Sequence, residues 1–273
     1  MNNIKHIKDF LSSIDSVTDT IHMGEFHYAV QPIKTLDRKT AGSNWFEWLV
    51  RPRFLDRQVN TADFIDAVHA LGLMVELDMR IVTDALSWLQ RQPRSTRLGI
   101  NVSAASISNN AFTSYVLGAI RRFEVTPEQI CIEITEHQAI TDLSTATRFA
   151  KALRSMGAKI ALDDVGAGTM HLGLFAPLHL VDYIKIDRNW IIPALESPAH
   201  ARTAEGLIEF GKRLGVEIIA EGIETEAHLH LVEGLDVDYY QGFIDGEPTI
   251  VVGDRYKERE IEEEHYRGYS RTA

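Results

Sequence analysis

The chain has 273 residues, of which 45% are hydrophobic and 25% are charged, and its formal net charge is −11 at pH 7. These proportions are typical of a globular protein with a sizeable core, and the acidic excess disfavours a nucleic-acid polymer or an anionic membrane as a partner. It does not exclude a small phosphorylated ligand, whose binding site can differ in charge from the rest of the chain.

The sequence has neither a membrane-spanning run nor a secretory signal. No stretch of about 18 apolar residues occurs, and charged residues interrupt the apolar positions near the N-terminus. A single cysteine, Cys131, cannot form an intrachain disulfide, and its place in an apolar run predicts a buried, unreactive thiol. We therefore expect a cytoplasmic protein without membrane insertion.

Short β-branched and apolar runs alternate with segments of helical periodicity along most of the chain. The predicted strands cover residues 26–33, 44–50, 97–103, 130–135, 159–165, 183–187, 216–222 and 238–243. Eight strands separated by helices predict an α/β fold, a (β/α)₈ TIM-like barrel. The connection between the first two strands is too short for a helix, so we expect them to pair antiparallel and make the barrel irregular.

This barrel is predicted to span residues 25–250 as one domain. Residues 1–24 are expected to form an N-terminal helical extension, and residues 251–273 a charged C-terminal helix or tail. Between the strands, residues 61–92 carry helical periodicity with a break at Gly72. The tryptophans Trp45, Trp88 and Trp190 are predicted to be core or packing residues.

Ionisable or amide side chains lie near the carboxyl ends of most predicted strands. They are Glu47, Asn101, Glu133, Asp163, Asp164, Lys185, Glu221 and Gln241. In a (β/α)₈ barrel these strand ends converge on one mouth, where catalytic groups gather. Carboxylates this close repel one another unless cations are bound. Because the set is rich in oxygen and lacks clustered thiolates or imidazoles, it favours Mg²⁺ or Mn²⁺.

Asp163 and Asp164 are neighbours in the sequence, and neighbouring residues of a strand face opposite ways. Both can reach one site only where the strand turns, and the glycines at 166 and 168 supply such a turn. One carboxylate can then bridge two metal ions while the other binds the second ion.

A two-metal site suits phosphodiester hydrolysis, because the cations activate water and stabilise the developing charge. Lys185 is the candidate for orienting the attacking water or neutralising the transition state, with a structural ion pair as the alternative. Glu221 is the candidate general base, with metal ligation as the alternative. Arg51 has the bidentate donors that grip a phosphate.

Eight motifs of the sequence resemble, in order and spacing, those of the EAL domain, a family of bacterial phosphodiesterases in second-messenger signalling. The motifs are QPI at 31–33, EWL at 47–49, NVS at 101–103, EITE at 133–136, DDVGAG at 163–168, IKID at 184–187, AEGIE at 220–224 and QGF at 241–243 with Pro248. The resemblance implies hydrolysis of cyclic di-GMP to linear pGpG with two Mg²⁺ or Mn²⁺ ions per active site. It also implies an irregular barrel with one antiparallel strand and a homodimer.

The resemblance gives each matching residue an expected role. The implied metal ligands are Glu47, Asn101, Glu133, Asp163, Asp164 and Glu221. The implied substrate-binding residues are Gln31, Leu49, Arg51, Glu224 and Gln241. Lys185 matches the lysine that contacts the catalytic water, and Glu136 matches the acid that anchors the loop after the fifth strand.

Several positions depart from the family pattern, although every expected ligand is present. Trp48 replaces the signature alanine, Pro52 replaces an aromatic residue, and Val165 and Ala167 replace an aromatic and a hydroxyl residue. The stretch from Asp163 to Lys185 is also one residue longer than usual. These departures put the rate or the regulation of an enzyme in question.

Two other functions are compatible with the sequence. One is a catalytically weak EAL domain that serves as a cyclic di-GMP receptor or a protein-interaction module. The other, which ignores the resemblance, is a lyase or isomerase of the enolase type, with Lys185 as the base that removes a proton from a carboxylate substrate.

Overall fold

A computed structural model describes residues 14–23, 26–37, 44–52, 61–135, 143–166 and 180–251. The strands are β1 (Phe26–Thr35), β2 (Asn44–Pro52), β3 (Thr96–Asn101), β4 (Ile130–Thr135), β5 (Lys159–Val165), β6 (Tyr183–Ile186), β7 (Glu217–Ala220), β8 (Tyr239–Gln241) and β9 (Thr249–Val251). The α-helices are α1 (Ile14–Met23), α2 (Thr61–Ala70), α3 (Met74–Leu89), α4 (Ala104–Ile107), α5 (Asn110–Arg122), α6 (Leu143–Arg154), α7 (Arg188–Ile191), α8 (Pro198–Arg213) and α9 (Glu226–Gly234).

The strands form a sheet in the order β2-β3-β4-β5-β6-β7-β8-β1-β9, and a further pairing of β1 with β2 closes β1 to β8 into a barrel. Neighbouring strands from β2 to β8 are parallel. Strand β1 is antiparallel to both β2 and β8, which places Gln31 opposite Glu47 and Ile33 opposite Gln241. The predicted irregular barrel with one antiparallel strand is therefore confirmed.

A ninth strand lies outside the closed barrel. Strand β9 pairs antiparallel to β1, with Tyr28 opposite Val251 and Val30 opposite Thr249. This strand was not predicted from the sequence, because three residues are too few for an alternating pattern to be recognised.

Apolar side chains fill the inside of the barrel and the space between the barrel and its helices. The interior cluster contains Trp45, Cys131 and Tyr183, among others. Cys131 is a buried free thiol whose pKa is raised well above its ordinary value by burial and by the charge of nearby Glu133. Its position and its raised pKa agree with the prediction of an unreactive thiol.

The helices cover the outside of the barrel. The predicted break at Gly72 separates α2 from α3, and this glycine has the positive φ of 72° that favours glycine. Helix α1 contributes Val17 and Ile21 to the outer core and packs against α3. Among the described helices, none is both long enough and apolar enough to cross a bilayer.

Candidate active site

Lys185 lies at the centre of the barrel mouth, where it contacts four carboxylates. Its Nζ is 2.8 Å from Glu133, 2.8 Å from Glu221, 3.1 Å from Asp163 and 3.5 Å from Glu47. These acids come from β4, the residue after β7, β5 and β2 respectively. The convergence of parallel strand ends thus brings together residues that lie far apart in the sequence.

The mouth carries more negative charge than Lys185 balances. Burial raises the pKa of Glu133 well above its ordinary value, although the charge of Lys185 opposes the shift. Burial and the charge of Asp163 also raise the pKa of Glu221 to about 7 and that of Asp164 to about 6. Such shifts in pKa arise where carboxylates are removed from water and, in addition, lie close to other carboxylates.

Glu47 is held in its ionised form by its neighbours. Burial opposes ionisation, but the charge of Lys185 and hydrogen bonds from two amides lower the pKa of Glu47. Gln241 Nε2 donates to Glu47 Oε2 at 2.6 Å, and Asn101 Nδ2 donates to Glu47 Oε1 at 2.7 Å. Gln241 Nε2 also lies 3.1 Å from Gln31 Oε1. The amide side chains of Asn101, Gln241 and Gln31 therefore form one hydrogen-bonded group with the carboxylate of Glu47.

Asp163 and Asp164 both reach the mouth because β5 is irregular at this point. The pairing of β5 with β6 shifts between Leu162 and Val165. Asp164 adopts a positive φ of 56°, and its backbone N–H donates to Asp163 Oδ1 at 2.9 Å. The left-handed residue turns the second side chain to the same side as the first, as the sequence analysis required.

The carboxylates form two groups, each of which offers oxygen atoms that lie within 4.8 Å of one another. Glu47, Glu133 and Asp163 make up the first group, and Asp163, Asp164 and Glu221 make up the second. Asp163 belongs to both, which is the arrangement expected of a carboxylate that bridges two ions.

One oxygen of this set is poised to accept a cation. Glu133 Oε1 is buried and has no hydrogen-bond partner among the described residues, although buried polar atoms are nearly always paired. The donors of both groups are carboxylate oxygens, which are the ligands that Mg²⁺ and Mn²⁺ prefer. The residues of the mouth therefore fit a pair of hard divalent cations.

Gly99 is a site residue that the sequence analysis missed. A Cβ atom at this position would lie 1.9 Å from Glu133 Oε1, so the carboxylate occupies the space that a side chain would fill. A lone glycine inside a predicted strand often marks such a close approach, and that signal was present in the run from 97 to 103.

Other predicted site residues lie around this centre. Leu49 and Arg51 alternate with Glu47 along β2 and share its face. The structure gives Arg51 a hydrogen bond from Nη1 to the carbonyl of Val50 at 2.9 Å. Neither side chain makes a described contact with the carboxylates.

Glu224 lies outside the carboxylate centre. It is exposed, and its Oε1 pairs with Arg188 Nη2 at 2.9 Å. Glu136, the predicted loop anchor, and Ala167 lie outside the described residues. The structure therefore joins Gln31, Glu47, Asn101, Glu133, Asp163, Asp164, Lys185, Glu221 and Gln241 in one centre, with Leu49, Arg51 and Glu224 outside it.

Trp48 faces away from the mouth. Its ring stacks on Tyr28 with centroids 4.7 Å apart and lies 5.5 Å from the ring of Trp88 on α3. It is therefore part of the layer between barrel and helices, since its neighbour Glu47 takes the inward face of β2. The bulky substitution at this position adds apolar packing without entering the site.

Comparison with known proteins gives a consistent result. The EAL domain family matches residues 14–248. PdeA of Escherichia coli (strain K12), a probable cyclic di-GMP phosphodiesterase, is 24% identical over 239 residues, which cover 86% of this chain and 32% of PdeA. The chain thus spans about a third of the length of that relative.

Solved structures share the fold. The FimX EAL domain from Pseudomonas aeruginosa, bound to c-di-GMP, has a TM-score of 0.77 at 22% identity, with 87% of this chain and 96% of that chain covered. A calcium and cyclic di-GMP complex of Klebsiella pneumoniae BlrP1 has a TM-score of 0.73 at 24% identity, with 84% and 57% covered.

Proposed function

The chain belongs to the EAL domain family, and on that premise we propose that it is a metal-dependent phosphodiesterase that hydrolyses cyclic di-GMP to linear pGpG. The observation that carries this proposal is the pair of oxygen groups that share Asp163 beside a buried lysine. A receptor that has lost catalysis has no need of so complete a set of ligands, and this favours the enzyme over the catalytically weak alternative.

The residues that would hold the ions follow from these groups. Glu47, Asn101, Glu133 and Asp163 would bind one cation, and Asp163, Asp164 and Glu221 would bind the other. When bound, two Mg²⁺ or Mn²⁺ ions acidify a water and neutralise charge on the scissile phosphate. Five carboxylates and one lysine leave four uncompensated negative charges if all are ionised, and two divalent cations balance that charge.

Lys185 and Glu221 are the proposed catalytic residues. Although burial opposes it, the surrounding carboxylates raise the pKa of Lys185 well above its ordinary value, so the amine is an ammonium. An ammonium can donate to the attacking water and stabilise negative charge, but it does not remove a proton as the enolase-type alternative requires. Glu221 is half-buried and its Oε1 is in direct contact with Lys185 Nζ at 2.8 Å, so its carboxylate lies where it can accept a proton from a water at the mouth of the barrel.

Five residues are proposed to meet the dinucleotide. They are Gln31, Leu49, Arg51, Glu224 and Gln241. Gln241 donates a hydrogen bond to Gln31 within the mouth, whereas Arg51 and Glu224 lie outside the carboxylate centre. We propose that Arg51 binds a substrate phosphate and that Glu224 contacts the part of the ligand farther from the scissile bond.

The assay that tests the proposed function follows pGpG by chromatography after incubation of the protein with cyclic di-GMP and Mn²⁺ or Mg²⁺. We expect turnover. Tight binding without turnover would support the receptor instead, and neither turnover nor binding would contradict both functions.

A paired substitution locates the activity at the mouth. Glu47→Ala removes an oxygen ligand and the acceptor of two amide hydrogen bonds, so we expect it to abolish hydrolysis. Glu209→Ala is the control, because Glu209 is exposed on α8 and forms an ion pair with Arg213 one turn along the same helix. If the Glu47 variant turned over substrate at the wild-type rate, the site assignment would be wrong.

The oligomeric state is proposed on the resemblance, and the location on the lack of a recognisable secretory signal in the sequence and on its single cysteine. We propose a homodimer in the cytoplasm. Light scattering coupled to size-exclusion chromatography should give twice the mass of the chain, and the mass of a single chain would contradict the dimer.

A further inference from the structure

Trp190 lies beside the end of β5 and contacts Gly166, which follows Asp164 by two residues. Its indole Nε1 donates to the carbonyl oxygen of Gly166 at 2.6 Å. A Cβ atom on Gly166 would lie 2.3 Å from the same nitrogen, and Gly166 has a φ of 91°. The indole is therefore in direct contact with the backbone of the residue that follows β5, and only glycine fits there without strain.

The segment that the indole contacts has an unusual backbone. Asp164 and Gly166 both have positive φ, and the ladder between β5 and β6 is interrupted from Leu162 to Val165. A non-glycine residue in the left-handed region costs about 1 kcal/mol or more, and an interrupted ladder supplies fewer hydrogen bonds to hold it. The hydrogen bond from Trp190 fixes the carbonyl at the far end of this irregular segment.

Trp190 is itself held in place. It lies on α7, which follows β6 almost directly. Its backbone N–H donates to the backbone carbonyl of Asp187 at 3.0 Å. Its ring centroid is 5.5 Å from that of His200, whose Nδ1 lies 2.8 Å from Ser197 Oγ. The donor thus has a defined orientation, which a mobile surface side chain lacks.

We propose that Trp190 is a positioning residue for the metal pair, because its hydrogen bond to Gly166 sets the positions of Asp163 and Asp164. The inference rests on the proposed function, since it assumes that these carboxylates bind cations. Groups that orient metal ligands from outside the coordination shell commonly change metal affinity when they are removed. Trp190 is predicted from the sequence to be a core or packing residue, and the hydrogen bond from its indole N–H adds a role that packing does not require.

The test compares two substitutions that make the same chemical change. Trp190→Phe keeps an aromatic ring and removes the donor to Gly166. Trp88→Phe is the matched control, since Trp88 packs against Phe46 and Trp48 in the layer between barrel and helices. Chelator-stripped protein of full length is titrated with Mn²⁺ by calorimetry, and the melting temperature of each metal-free variant is recorded.

We expect Trp190→Phe to weaken Mn²⁺ binding about tenfold and Trp88→Phe to leave it unchanged. At saturating Mn²⁺, kcat of Trp190→Phe should return to near the wild-type value, because the chemistry of the site is intact. A Trp190 variant that melts lower but binds Mn²⁺ like the wild type would overturn the inference, since a purely structural role predicts that result.

A second replacement keeps the shape of the side chain. Incorporation of 3-benzothienylalanine at position 190 retains both rings and exchanges the N–H for sulfur, so it tests the hydrogen bond even if the Phe variant folds poorly. Wild-type affinity in this protein would also overturn the inference. If the wild type itself bound no Mn²⁺ but every variant folded, the proposed function would fail first, and the inference with it.

Discussion

Glu133 and Lys185 are the most deeply buried members of the site, with side-chain exposures of 0% and 1%. The carboxylate gives Oε2 to the lysine at 2.8 Å, while Oε1 lies over Gly99 without a hydrogen-bond partner in the described part of the chain. A buried ion pair of this kind is costly to break, by about 3–5 kcal/mol, because one charge is left unpaired. The lysine thus fixes one oxygen, and the other is the oxygen that would bind a cation under the proposed function.

Gly99 tests this division of the Glu133 carboxylate. In Gly99→Ala, the new Cβ would lie 1.9 Å from Oε1, so the carboxylate must move away from its present position. We expect the affinity for Mn²⁺ to fall about tenfold in calorimetric titration. Gly118→Ala is the control, because a Cβ on that helical glycine meets nothing within 4 Å. Equal Mn²⁺ affinity in the two variants would show that Glu133 does not ligate.

At the scale of the strands and helices, the sequence predicted most of what positions the site. Apolar runs ending in a polar residue marked strands β2 to β8, since burial on both faces leaves a strand few other ways to carry a charge. The short first connection predicted the antiparallel pairing of β1, which aligns Gln31 with Glu47. What was missed depends on contacts between distant segments. The hydrogen bond from Trp190 to Gly166 joins residues of different elements, and no local pattern encodes it.

Glu224 shows a different limit of the sequence. The resemblance implies that it binds substrate, and the residue follows the end of β7 by four positions, where the chain has left the barrel. Strand periodicity fixes the direction of a side chain only within the strand. Beyond Ala220 the direction depends on the loop, where Glu224 turns out to Arg188.

Helix α3 supports the loop that follows Asn101. Asp78 on this helix is buried, and its Oδ2 accepts from the backbone N–H of Ser103 at 2.9 Å and from Ser103 Oγ at 2.6 Å. Ser103 in turn caps α4, with its Oγ accepting from Ser106 N. We expect Asp78→Ala to lower the free energy of unfolding by about 1–3 kcal/mol in urea denaturation, because buried donors lose their acceptor. Asp78→Asn keeps an acceptor oxygen and should cost less. An equal loss in the free energy of unfolding for the two variants would contradict the role of Asp78 as a hydrogen-bond acceptor.

The same carboxyl group gives a pH dependence with a defined sign. Burial raises the pKa of Asp78, although hydrogen bonds from Ser103 and Ser106 oppose the shift. The folded state therefore binds the proton more tightly than the unfolded state, and stability from this residue is lost as the pH rises through the folded pKa. The wild type should gain stability relative to Asp78→Asn as the pH falls through the pKa of the folded state, and urea denaturation over a series of pH values measures this difference.

At the scale of the whole molecule, the structure explains part of the net charge of −11. Five of the acids lie together at the barrel mouth, in two groups that share Asp163. Their mutual repulsion opposes folding, and cations that bound only the folded state would stabilise it by about 2.7 kcal/mol per site at a hundredfold excess over Kd. The acidic surplus that disfavours polymeric nucleic acid is thus compatible with a phosphodiester substrate.

Asp164→Asn separates the two effects of this charge. Burial and the charge of Asp163 raise the pKa of Asp164 to about 6, and asparagine tolerates the positive φ at this position. In a chelator, the variant should melt at a higher temperature than the wild type, because one repulsive charge is gone. Addition of Mn²⁺ should raise the melting temperature of the variant by less than it raises that of the wild type. A variant that melts lower in chelator and gains as much from Mn²⁺ would refute the charge argument.

The central claim is that five carboxylates hold two divalent cations at the mouth of the barrel. Calorimetric titration of the metal-free protein with Mn²⁺ in the presence of a non-hydrolysable cyclic di-GMP analogue tests it most directly. We predict two ions per chain in the wild type and loss of both high-affinity sites in Asp163→Asn, because Asp163 belongs to both oxygen groups. A single ion in the wild type, or two tight ions in Asp163→Asn, would contradict the claim.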